Sequence, residues 1–319
     1  TQVSVDLEIA EILRRVMYQN DGPAVLFENV EGYKIPVLGN AFGSLRRLKM
    51  ALDLENFEDI GERMTALTRL KMPHGLLNKF KMLPKLSEIS DYGPKSTNSG
   101  PVTEIIETSN PTLDSLPILK SFPNDSGRFI TFGITVTKNP ETDVRNMGVY
   151  RLQVISPKKA IMHWQIHKRG ALHYQINKDN MQKTEVAIVI GADPATVFSA
   201  VAPVPEGLDK FLFAGITRKK GLDLVKCKTV DVEVPASAEI VECYVDPSEL
   251  NIEGPFGDHT GYYTPPETYP TFTLTGIMMR RNPIYLTTVV GEPILEDAYI
   301  GKVIERAFLP LVKLFQPEV

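Results

Sequence analysis

The first third of the chain alternates helix-like and strand-like spacing of apolar residues. Residues 4–19, SVDLEIAEILRRVMYQ, place apolar side chains at helical intervals, with Ser4 as the expected N-cap. Short apolar runs predict two strands and longer amphipathic runs predict two more helices, in segments 24–30, 34–40, 44–54 and 56–70. This alternation predicts a small α/β domain over residues 1–115.

The segment from 116 to 295 consists mainly of short apolar runs separated by turn residues. Strands are predicted at 128–138, 148–156, 159–167, 184–191, 222–227, 238–245, 271–280 and 283–290. Their even spacing predicts a β-barrel or sandwich. One helix is predicted at 193–201, with Asp193 as its N-cap and Pro194 at the first helical position.

A helical pattern at residues 296–316 precedes the last residues of the chain. Its apolar positions cover a wide face, made of Ile300, Val303, Ile304, Ala307, Phe308, Leu311, Val312 and Phe315. Pro310 lacks a backbone N–H and is expected to kink or split the helix. A face this wide predicts that the helix packs on more than its own domain.

Composition narrows the class of protein. The chain has 319 residues, a net charge of −4, 43% hydrophobic and 23% charged residues, which is typical of a soluble globular protein. No charged block suggests a nucleic-acid partner, and no apolar run reaches the roughly 18 residues of a membrane span. The two cysteines, Cys227 and Cys243, form no CxxC pair, and we expect a cytoplasmic protein.

Several common catalytic motifs are absent. The sequence contains no GxGxxG, no P-loop, no GxSxG and no HExxH. These absences argue against a nicotinamide enzyme, a P-loop nucleotide hydrolase and a serine hydrolase of the α/β type.

The stretch NIEGPFGDHTGYYTPP, residues 251–266, combines acids, glycines and aromatic residues. Glu253 and Asp258 lie five residues apart, and Tyr262 and Tyr263 follow them. A turn-rich stretch of this kind is either a solvated loop or a site where backbone approaches a flat ligand. The aromatic residues favour the site, because a solvated loop does not need them.

Two neighbouring strands carry further polar residues. In the strand predicted at 159–167, His163, Gln165 and His167 share one face and Trp164 lies on the other. These histidines either point to solvent or line a site. Lys168 and Arg169 follow and suit an anionic group such as a phosphate.

The preceding strand begins with NMGVYR. Asn146 can ligate a metal through its carbonyl oxygen, and Arg151 can bind a carboxylate with two parallel hydrogen bonds. Each of these signals is unspecific when taken alone.

Six blocks in this order resemble the UbiD family of decarboxylases, which use prenylated FMN. The blocks are FPNDSGRFITFG, NMGVYRLQVIS, IMHWQIHKRGALHYQ, VIGADPATVFSAVAPVPEGL, EVPASAEIV and EGPFGDHTGYY. The resemblance implies an α+β fold in which an N-terminal α/β domain precedes an FMN-binding split β-barrel at 116–295. It also implies a C-terminal α/β domain that is absent here, so residues 296–319 form a helix leading towards it.

The resemblance implies a catalytic network of Arg151, Glu253 and Asp258. Arg151 is expected to hold the substrate carboxylate, and Asp258 to protonate the carbon that loses carbon dioxide, with Glu253 as its partner. Two nearby acids raise each other's proton affinity. We therefore expect one of them to stay protonated near neutrality.

The resemblance also implies a cofactor site. The matching positions are Val149, Tyr150, Arg151, His163, Trp164, Gln165, Lys168 and Arg169. The family binds the flavin phosphate through a divalent metal, often manganese, with potassium nearby. Asn146 and His167 match two metal ligands, but the third, usually a glutamate, is Lys210 here, and Asp209 or Glu206 are alternatives.

The implied function is a non-oxidative, reversible decarboxylase of an aromatic or α,β-unsaturated carboxylic acid. Its substrate class would be a 4-hydroxy-3-polyprenylbenzoate or an anhydromevalonate phosphate, in quinone or isoprenoid biosynthesis, and the residues do not decide between them. The alternative is a flavin-binding split-barrel protein that is reductase-like or lacks decarboxylase activity. Expected partners are a flavin prenyltransferase that supplies the cofactor and further copies of the chain, docked in part through the 296–316 helix.

Overall fold

The structure is a computed structural model that describes residues 1–68, 90–165, 167–204 and 207–313, together with Gln316 and Glu318. Its helices are α1 Glu8–Met17, α2 Leu45–Leu52, α3 Glu58–Thr68, α4 Arg169–Asp179, α5 Pro194–Val201, α6 Lys210–Arg218 and α7 Glu296–Val312. In the first half of the chain the strands are β1 Val25–Phe27, β2 Val37–Gly39, β3 Lys95–Thr97, β4 Ile105–Glu107, β5 Phe129–Ile130, β6 Ile134–Lys138, β7 Arg145–Val149, β8 Leu152–Ser156 and β9 Lys159–Met162. In the second half they are β10 Glu185–Ile190, β11 Asp223–Lys226, β12 Glu233–Pro235, β13 Ile240–Glu253, β14 Phe256–Gly257, β15 Tyr263–Thr264, β16 Glu267–Met279 and β17 Tyr285–Leu286.

Helix α1 starts later than the sequence predicts. Its N-cap is Leu7, which makes no capping hydrogen bond through its side chain, so the assignment of Ser4 as the cap is wrong. The residues before the helix are used for strand-like bridges instead, from Val3 to Val30 and from Asp6 to Lys120. The predicted strands β1 and β2 are present and form an antiparallel pair, and β17 joins them in parallel.

The large sheet is antiparallel and carries the site. Its strands follow the order β5-β8-β9-β16-β13-β10-β6-β7, and β4 also pairs with β16. In the described part of the chain the two end strands, β5 and β7, do not pair, and no closed barrel is found. Residues Val186 to Ile190 of β10 are all buried, which agrees with their uninterrupted apolar run.

Strand predictions differ from the structure in several places. The single strands predicted at 128–138 and 148–156 are each interrupted, the first giving β5 and β6 and the second joining the end of β7 to β8. Strand β9 ends at Met162, so the alternation predicted up to residue 167 is wrong. Strand β13 continues to Glu253 through two irregularities in its pairing with β16. Glu253 therefore lies at the end of a strand, which fixes its backbone more firmly than a loop would.

The helix at the end of the described chain packs against α3. Helix α7 continues through Pro310 to Val312 and is not split. A Cβ atom on Gly61 of α3 would lie 2.2 Å from the carbonyl oxygen of Ala307, so the glycine allows close approach of the two helices. Ile300, Val303 and Ala307 are buried and Val312 is exposed, while Phe315 lies outside the described residues.

No helix among the described residues is both long and apolar enough to cross a bilayer. Cys227 and Cys243 are both buried free thiols.

Candidate active site

The turn after β13 is held in place by two buried polar side chains. The backbone N–H of Gly254, a residue with φ of 93°, donates to Oε1 of Gln153 at 2.9 Å. Asp125 accepts hydrogen bonds from the N–H of Gly257 at 2.8 Å and of Phe122 at 2.9 Å. The turn then forms the β14–β15 hairpin. The stretch is therefore held in place up to Gly257 and again at Thr264, whereas residues 259–263 between them are exposed.

Arg151 lies between the two acids of this stretch. Its Nε and Nη2 donate to the two carboxylate oxygens of Glu253 at 2.6 and 3.0 Å, and Nη1 donates to Asp258 at 2.9 Å. Nη2 also donates to the hydroxyl of Thr264 at 3.0 Å, and Cζ lies 4.5 Å from the centre of the Phe256 ring. This set of residues is called the arginine network below.

Burial differs between the two acids. The side chain of Glu253 is 0% exposed and that of Asp258 is 19% exposed. Glu253 is therefore suited to fix the guanidinium, while Asp258 is the acid that a small molecule can reach.

Hydrogen bonds from neighbouring histidines, together with Arg151, lower the pKa of both acids. Burial alone would raise the pKa of Glu253, but hydrogen bonds from His163 and Arg151 outweigh it. Burial would also raise the pKa of Asp258, and the hydrogen bonds from His259 together with the charge of Arg151 outweigh it. The prediction that one acid stays protonated near neutrality is wrong for this arrangement, because hydrogen bonds from the neighbouring histidines and the contacts with Arg151 favour both carboxylates.

Two histidines complete the surroundings of the acids. Nδ1 of His163 lies 3.2 Å from Oε2 of Glu253, and its ring centre lies 4.4 Å from that of Tyr269. His259 is largely exposed, and its Nδ1 lies 2.8 Å from Oδ1 of Asp258. Each carboxylate is thus shared between Arg151 and a histidine.

A cavity of about 340 Å³ adjoins Asp258. Its lining includes the aromatic side chains of Phe122, Tyr262 and Tyr263 and the guanidinium of Arg14. This volume lies at the low end of the range for small-molecule sites.

A second cavity of about 340 Å³ lies beyond β7. It is bounded by β7, by the first residues of α4, by the segment that follows α5, and by Lys210 of α6. We call it the Lys210 cavity. It contains both predicted metal ligands, Asn146 and His167.

Comparisons with known proteins identify the family of the chain. A sequence family described as the 3-octaprenyl-4-hydroxybenzoate carboxy-lyase Rift-related domain, UbiD, matches residues 94–293, and the N-terminal domain of the same carboxy-lyase matches residues 1–64. The chain belongs to the UbiD family. Relatives include uncharacterized proteins of Archaeoglobus fulgidus, 48% identical over 320 residues, and of Aquifex aeolicus, 50% identical over 316 residues. The alignments cover 100% and 98% of this chain but 66% and 65% of these relatives, slightly less than two thirds of their length.

Solved structures of UbiD-class enzymes have the same mixed α/β fold. An evolved dimeric form of HmfF from Pelotomaculum thermopropionicum, in complex with prFMN, is 28% identical with a TM-score of 0.83, covering 98% of this chain and 68% of that one. The closed form of vanillic acid decarboxylase from Sedimentibacter hydroxybenzoicus is 25% identical with a TM-score of 0.85, covering 100% of this chain and 66% of that one.

The structure separates the predicted flavin contacts into groups. Four of them, Val149, Tyr150, Lys168 and Arg169, line the Lys210 cavity. Arg151 is the centre of the arginine network, and His163 contacts Glu253 of that network. Gln165 is exposed.

Trp164 is placed differently from the other predicted contacts. It is 5% exposed and packs in an aromatic cluster with Tyr150, Tyr174 and Phe272. Its indole Nε1 is buried and has no hydrogen-bond partner in the part of the chain that the structure describes.

The donor set of the Lys210 cavity suits an anion and does not suit a divalent metal. Nδ2 of Asn146 is buried and makes no hydrogen bond of normal geometry among the described residues, and the cavity has cationic side chains. Those residues also contain no group of three histidine, cysteine or acidic side chains able to hold a metal ion. The phosphate of a flavin fits these donors, whereas Mn²⁺ prefers carboxylate, carbonyl and water oxygens.

Neither Asp209 nor Glu206, the alternatives to Lys210 as the third metal ligand, supplies a carboxylate to the cavity within the described chain. Asp209 caps α6 by accepting from the N–H of Phe211 at 2.7 Å, and it also accepts from Nε and Nη2 of Arg145 at 3.0 and 2.7 Å. It is therefore fully engaged in structural contacts. Glu206 lies outside the described residues.

Sequence reasoning missed residues that support the site without entering it. Asp125 fixes the hairpin that carries Asp258, and Gln153 fixes Gly254. Asp125 lies in the block FPNDSGRFITFG, but only the fold shows that it reaches Gly257, 132 residues further along the chain.

Proposed function

We propose that the protein is a decarboxylase of aromatic or α,β-unsaturated carboxylic acids that uses prenylated FMN. The observation that carries the proposal is the arginine network, in which one guanidinium bridges a buried and a partly exposed carboxylate beside a cavity. The comparison with HmfF in complex with prFMN supports the choice of cofactor. The family of the chain supports the class of reaction.

The cofactor would be held between the arginine network and the Lys210 cavity. Val149 and Tyr150 come directly before Arg151 in the chain, so one short segment borders both regions. The flavin phosphate would be bound by the cations of the Lys210 cavity. When bound, the prenylated flavin supplies an electron-accepting ring system for carbon chemistry that amino-acid side chains do not provide.

Arg151 would orient the substrate carboxylate. Among the described residues its contacts with Glu253, Asp258 and Thr264 occupy Nε, both N–H groups of Nη2 and one N–H of Nη1. A carboxylate therefore has one N–H available unless it takes the place of Asp258. Glu253, held by two hydrogen bonds, stays in place and keeps the guanidinium plane fixed.

Asp258 would take up a proton as the substrate binds. One cation shared by two carboxylates leaves a formal charge of −1, and a substrate carboxylate adds another negative charge beside Asp258. Loss of its contact with Arg151 and the new neighbouring charge both raise the pKa of Asp258. The protonated acid is then the donor that replaces the lost carbon dioxide with hydrogen on the same carbon.

The cavity next to Asp258 fits the proposed substrate class. Phe122, Tyr262 and Tyr263 offer flat apolar surface to a conjugated acid, while Arg14 is ion-paired with Glu11 at the same wall. A 4-hydroxy-3-polyprenylbenzoate and an anhydromevalonate phosphate both contain the conjugated acid that this chemistry requires. We also propose that copies of the chain associate, with part of α7 in the contact.

The test is reconstitution with cofactor made by co-expression with a flavin prenyltransferase. Release of carbon dioxide is then measured over a panel of aromatic and α,β-unsaturated acids, with saturated analogues of equal size as controls. We expect release only from conjugated acids. Binding of the prenylated flavin without release from any acid would instead support the reductase-like or purely flavin-binding alternative.

A further inference from the structure

The Lys210 cavity has an unbalanced positive charge. Lys168, Arg169 and Lys210 line it, and no aspartate or glutamate is among its described lining residues. A divalent cation placed there would meet three positive side chains and only two neutral ligands, Asn146 and His167. Coulomb repulsion therefore opposes a metal in this cavity and favours an anion.

Lys210 is buried, and only one of the three N–H donors of its ammonium has a described acceptor. The residue is 9% exposed, and its Nζ donates to the carbonyl oxygen of Ala200 at 2.8 Å. That carbonyl lies in the last turn of α5, where carbonyl groups have no partner within the helix. An ammonium has three N–H donors, so two remain without a described acceptor.

Two further donors face the same cavity. Nδ2 of Asn146, a residue only 3% exposed, makes no hydrogen bond of normal geometry among the described residues, and its weaker interaction with the hydroxyl of Tyr150 only partly offsets the rise that burial causes in the pKa of that tyrosine. Helix α4 begins at Arg169, and its N-cap Lys168 makes no capping hydrogen bond through its side chain. A polar cavity whose buried side chains have unmatched donors, and whose described lining has no acidic group, lacks an acceptor that a phosphate would supply.

We propose that the Lys210 cavity binds the phosphate monoester of the flavin directly, without a divalent metal, with the Lys210 ammonium occupying the place of the ion. This inference rests on the proposed function, because it takes the flavin phosphate as the anion. Lys168 and Arg169 share the neutralisation of the phosphate dianion, and Asn146 donates to one of its oxygens.

The experiment is a titration of metal-depleted protein with FMN, followed by flavin fluorescence. It is run with EDTA and with Mn²⁺, and riboflavin serves as the ligand that lacks a phosphate. The substitution Lys210→Met removes the ammonium with little change in length. Lys178→Met, at an exposed position of α4, makes the same charge change away from the cavity.

For the wild-type protein we expect the same FMN affinity with EDTA and with Mn²⁺, within about twofold. Lys210→Met should weaken FMN binding by about 10- to 100-fold, the usual range for a hydrogen bond to a charged group, and should leave riboflavin binding unchanged. Lys178→Met should change neither. A wild-type affinity for FMN that falls more than about tenfold without Mn²⁺ would overturn the inference, as would unchanged FMN affinity in Lys210→Met.

The wild-type comparison needs no variant, so misfolding of Lys210→Met would not prevent a decision. Metal-dependent FMN binding would overturn this inference while leaving the proposed function intact. If FMN does not bind under any condition, calorimetry with inorganic phosphate follows. Lys210-dependent phosphate binding would then keep the anion site and overturn the flavin-based function, and absence of phosphate binding would overturn both.

Discussion

The arginine network and the Lys210 cavity meet at one short segment, because Val149 and Tyr150 line the cavity and come directly before Arg151. Their charges are nevertheless balanced in opposite ways. In the arginine network the cation has two carboxylates, Glu253 and Asp258, as hydrogen-bond partners. In the Lys210 cavity, three cations line the space without an acidic residue among the described lining. The first region supplies its own counter-charges, and the second requires them from a ligand.

This difference separates orientation from anchoring. A guanidinium that donates two hydrogen bonds to Glu253 is positioned before any substrate arrives, which is the condition for electrostatic preorganisation. Cations without counter-ions gain most when an anion binds, so they suit the tight retention of a cofactor. We therefore expect variants of the first region to change chemistry and variants of the second to change occupancy.

The largest expected effect is the loss of turnover in Asp258→Asn. The amide keeps the shape of the side chain but has no titratable proton, so decarboxylation should fall by about 10²- to 10⁴-fold. Flavin content should stay at the wild-type level, and Glu253→Gln should act in the same direction. Product formation per bound flavin is the measurement, and Asp223→Asn at an exposed position is the control. Full turnover in Asp258→Asn would remove this acid from the mechanism.

Arg151→Met should break the balance of the arginine network and destabilise the fold. The substitution leaves Glu253 buried and without its cation, at an expected cost of about 3–5 kcal/mol in the free energy of unfolding. Arg15→Met, which removes an exposed ion pair with Glu11, should cost no more than about 1 kcal/mol. Denaturant unfolding of the two variants gives the comparison directly. Equal costs would show that Glu253 does not depend on Arg151.

The pH dependence of the Arg151→Met variant has a defined sign. In the wild-type protein the pKa of Glu253 is lowered on folding, because its hydrogen bonds outweigh its burial. Its contribution to stability is therefore present above the unfolded pKa and is lost as pH falls through the folded pKa. Without the hydrogen bonds and charge of Arg151 the folded pKa of Glu253 rises, so the destabilisation relative to wild type should shrink as the solution is made more acidic.

Glu296 is a second buried acid and, unlike Glu253, it has no cationic hydrogen-bond partner in the described chain. It accepts from the N–H of Phe42 and the hydroxyl of Thr288, and burial raises its pKa from 4.5 to about 7. A raised pKa stabilises the fold below pH 4.5, and this contribution is lost as pH rises through about 7. The shift corresponds to about 3 kcal/mol, which Glu296→Gln should remove from the pH dependence. Unfolding from pH 4 to 8, with exposed Glu305→Gln as the control, tests this, and an unchanged profile would contradict it.

The smallest effect is expected for Asn146→Ala. One hydrogen bond to the phosphate would be lost, so FMN affinity should fall by about 3- to 10-fold while riboflavin affinity stays constant. Asn110→Ala, at an exposed position, is the matched control. If Asn146→Ala binds FMN as the wild type does, the amide of Asn146 does not serve the phosphate.

Much of the fold can be predicted from the sequence, and the failures have physical causes. The uninterrupted apolar run of β10 and the Asp193-capped helix α5 are both found as predicted. Helix α4 was missed because its buried side includes His173, Tyr174 and Asn177, so it lacks an apolar stripe. His173 is accommodated there by a contact of 2.8 Å with the hydroxyl of Thr137, which only the tertiary structure shows.

The candidate site, like the fold, can be predicted from the sequence only in part. The block EGPFGDH and its likeness to a known family identify Glu253 and Asp258, and the structure brings both to Arg151. The protonation of the two acids depends on their distances to Arg151 and to the histidines, which the sequence does not contain. The prediction that one acid stays protonated near neutrality is therefore wrong. The replacement at Lys210 is visible in the sequence. Its consequence depends on the tertiary structure: burial, and then the charges of Arg169 and Lys168 from another part of the chain, lower the pKa of Lys210 to about 8.

The most direct test of the account separates carbon–carbon bond cleavage from proton delivery. Exchange of labelled carbon dioxide into substrate reports the cleavage, and incorporation of deuterium from solvent at the product carbon reports the proton transfer. Both are measured per bound flavin in the wild-type protein and in Asp258→Asn. The account predicts that Asp258→Asn keeps carbon dioxide exchange within about tenfold of wild type and loses deuterium incorporation by at least about 100-fold. Deuterium incorporation at the wild-type rate in Asp258→Asn would contradict the assignment of Asp258 as the proton donor.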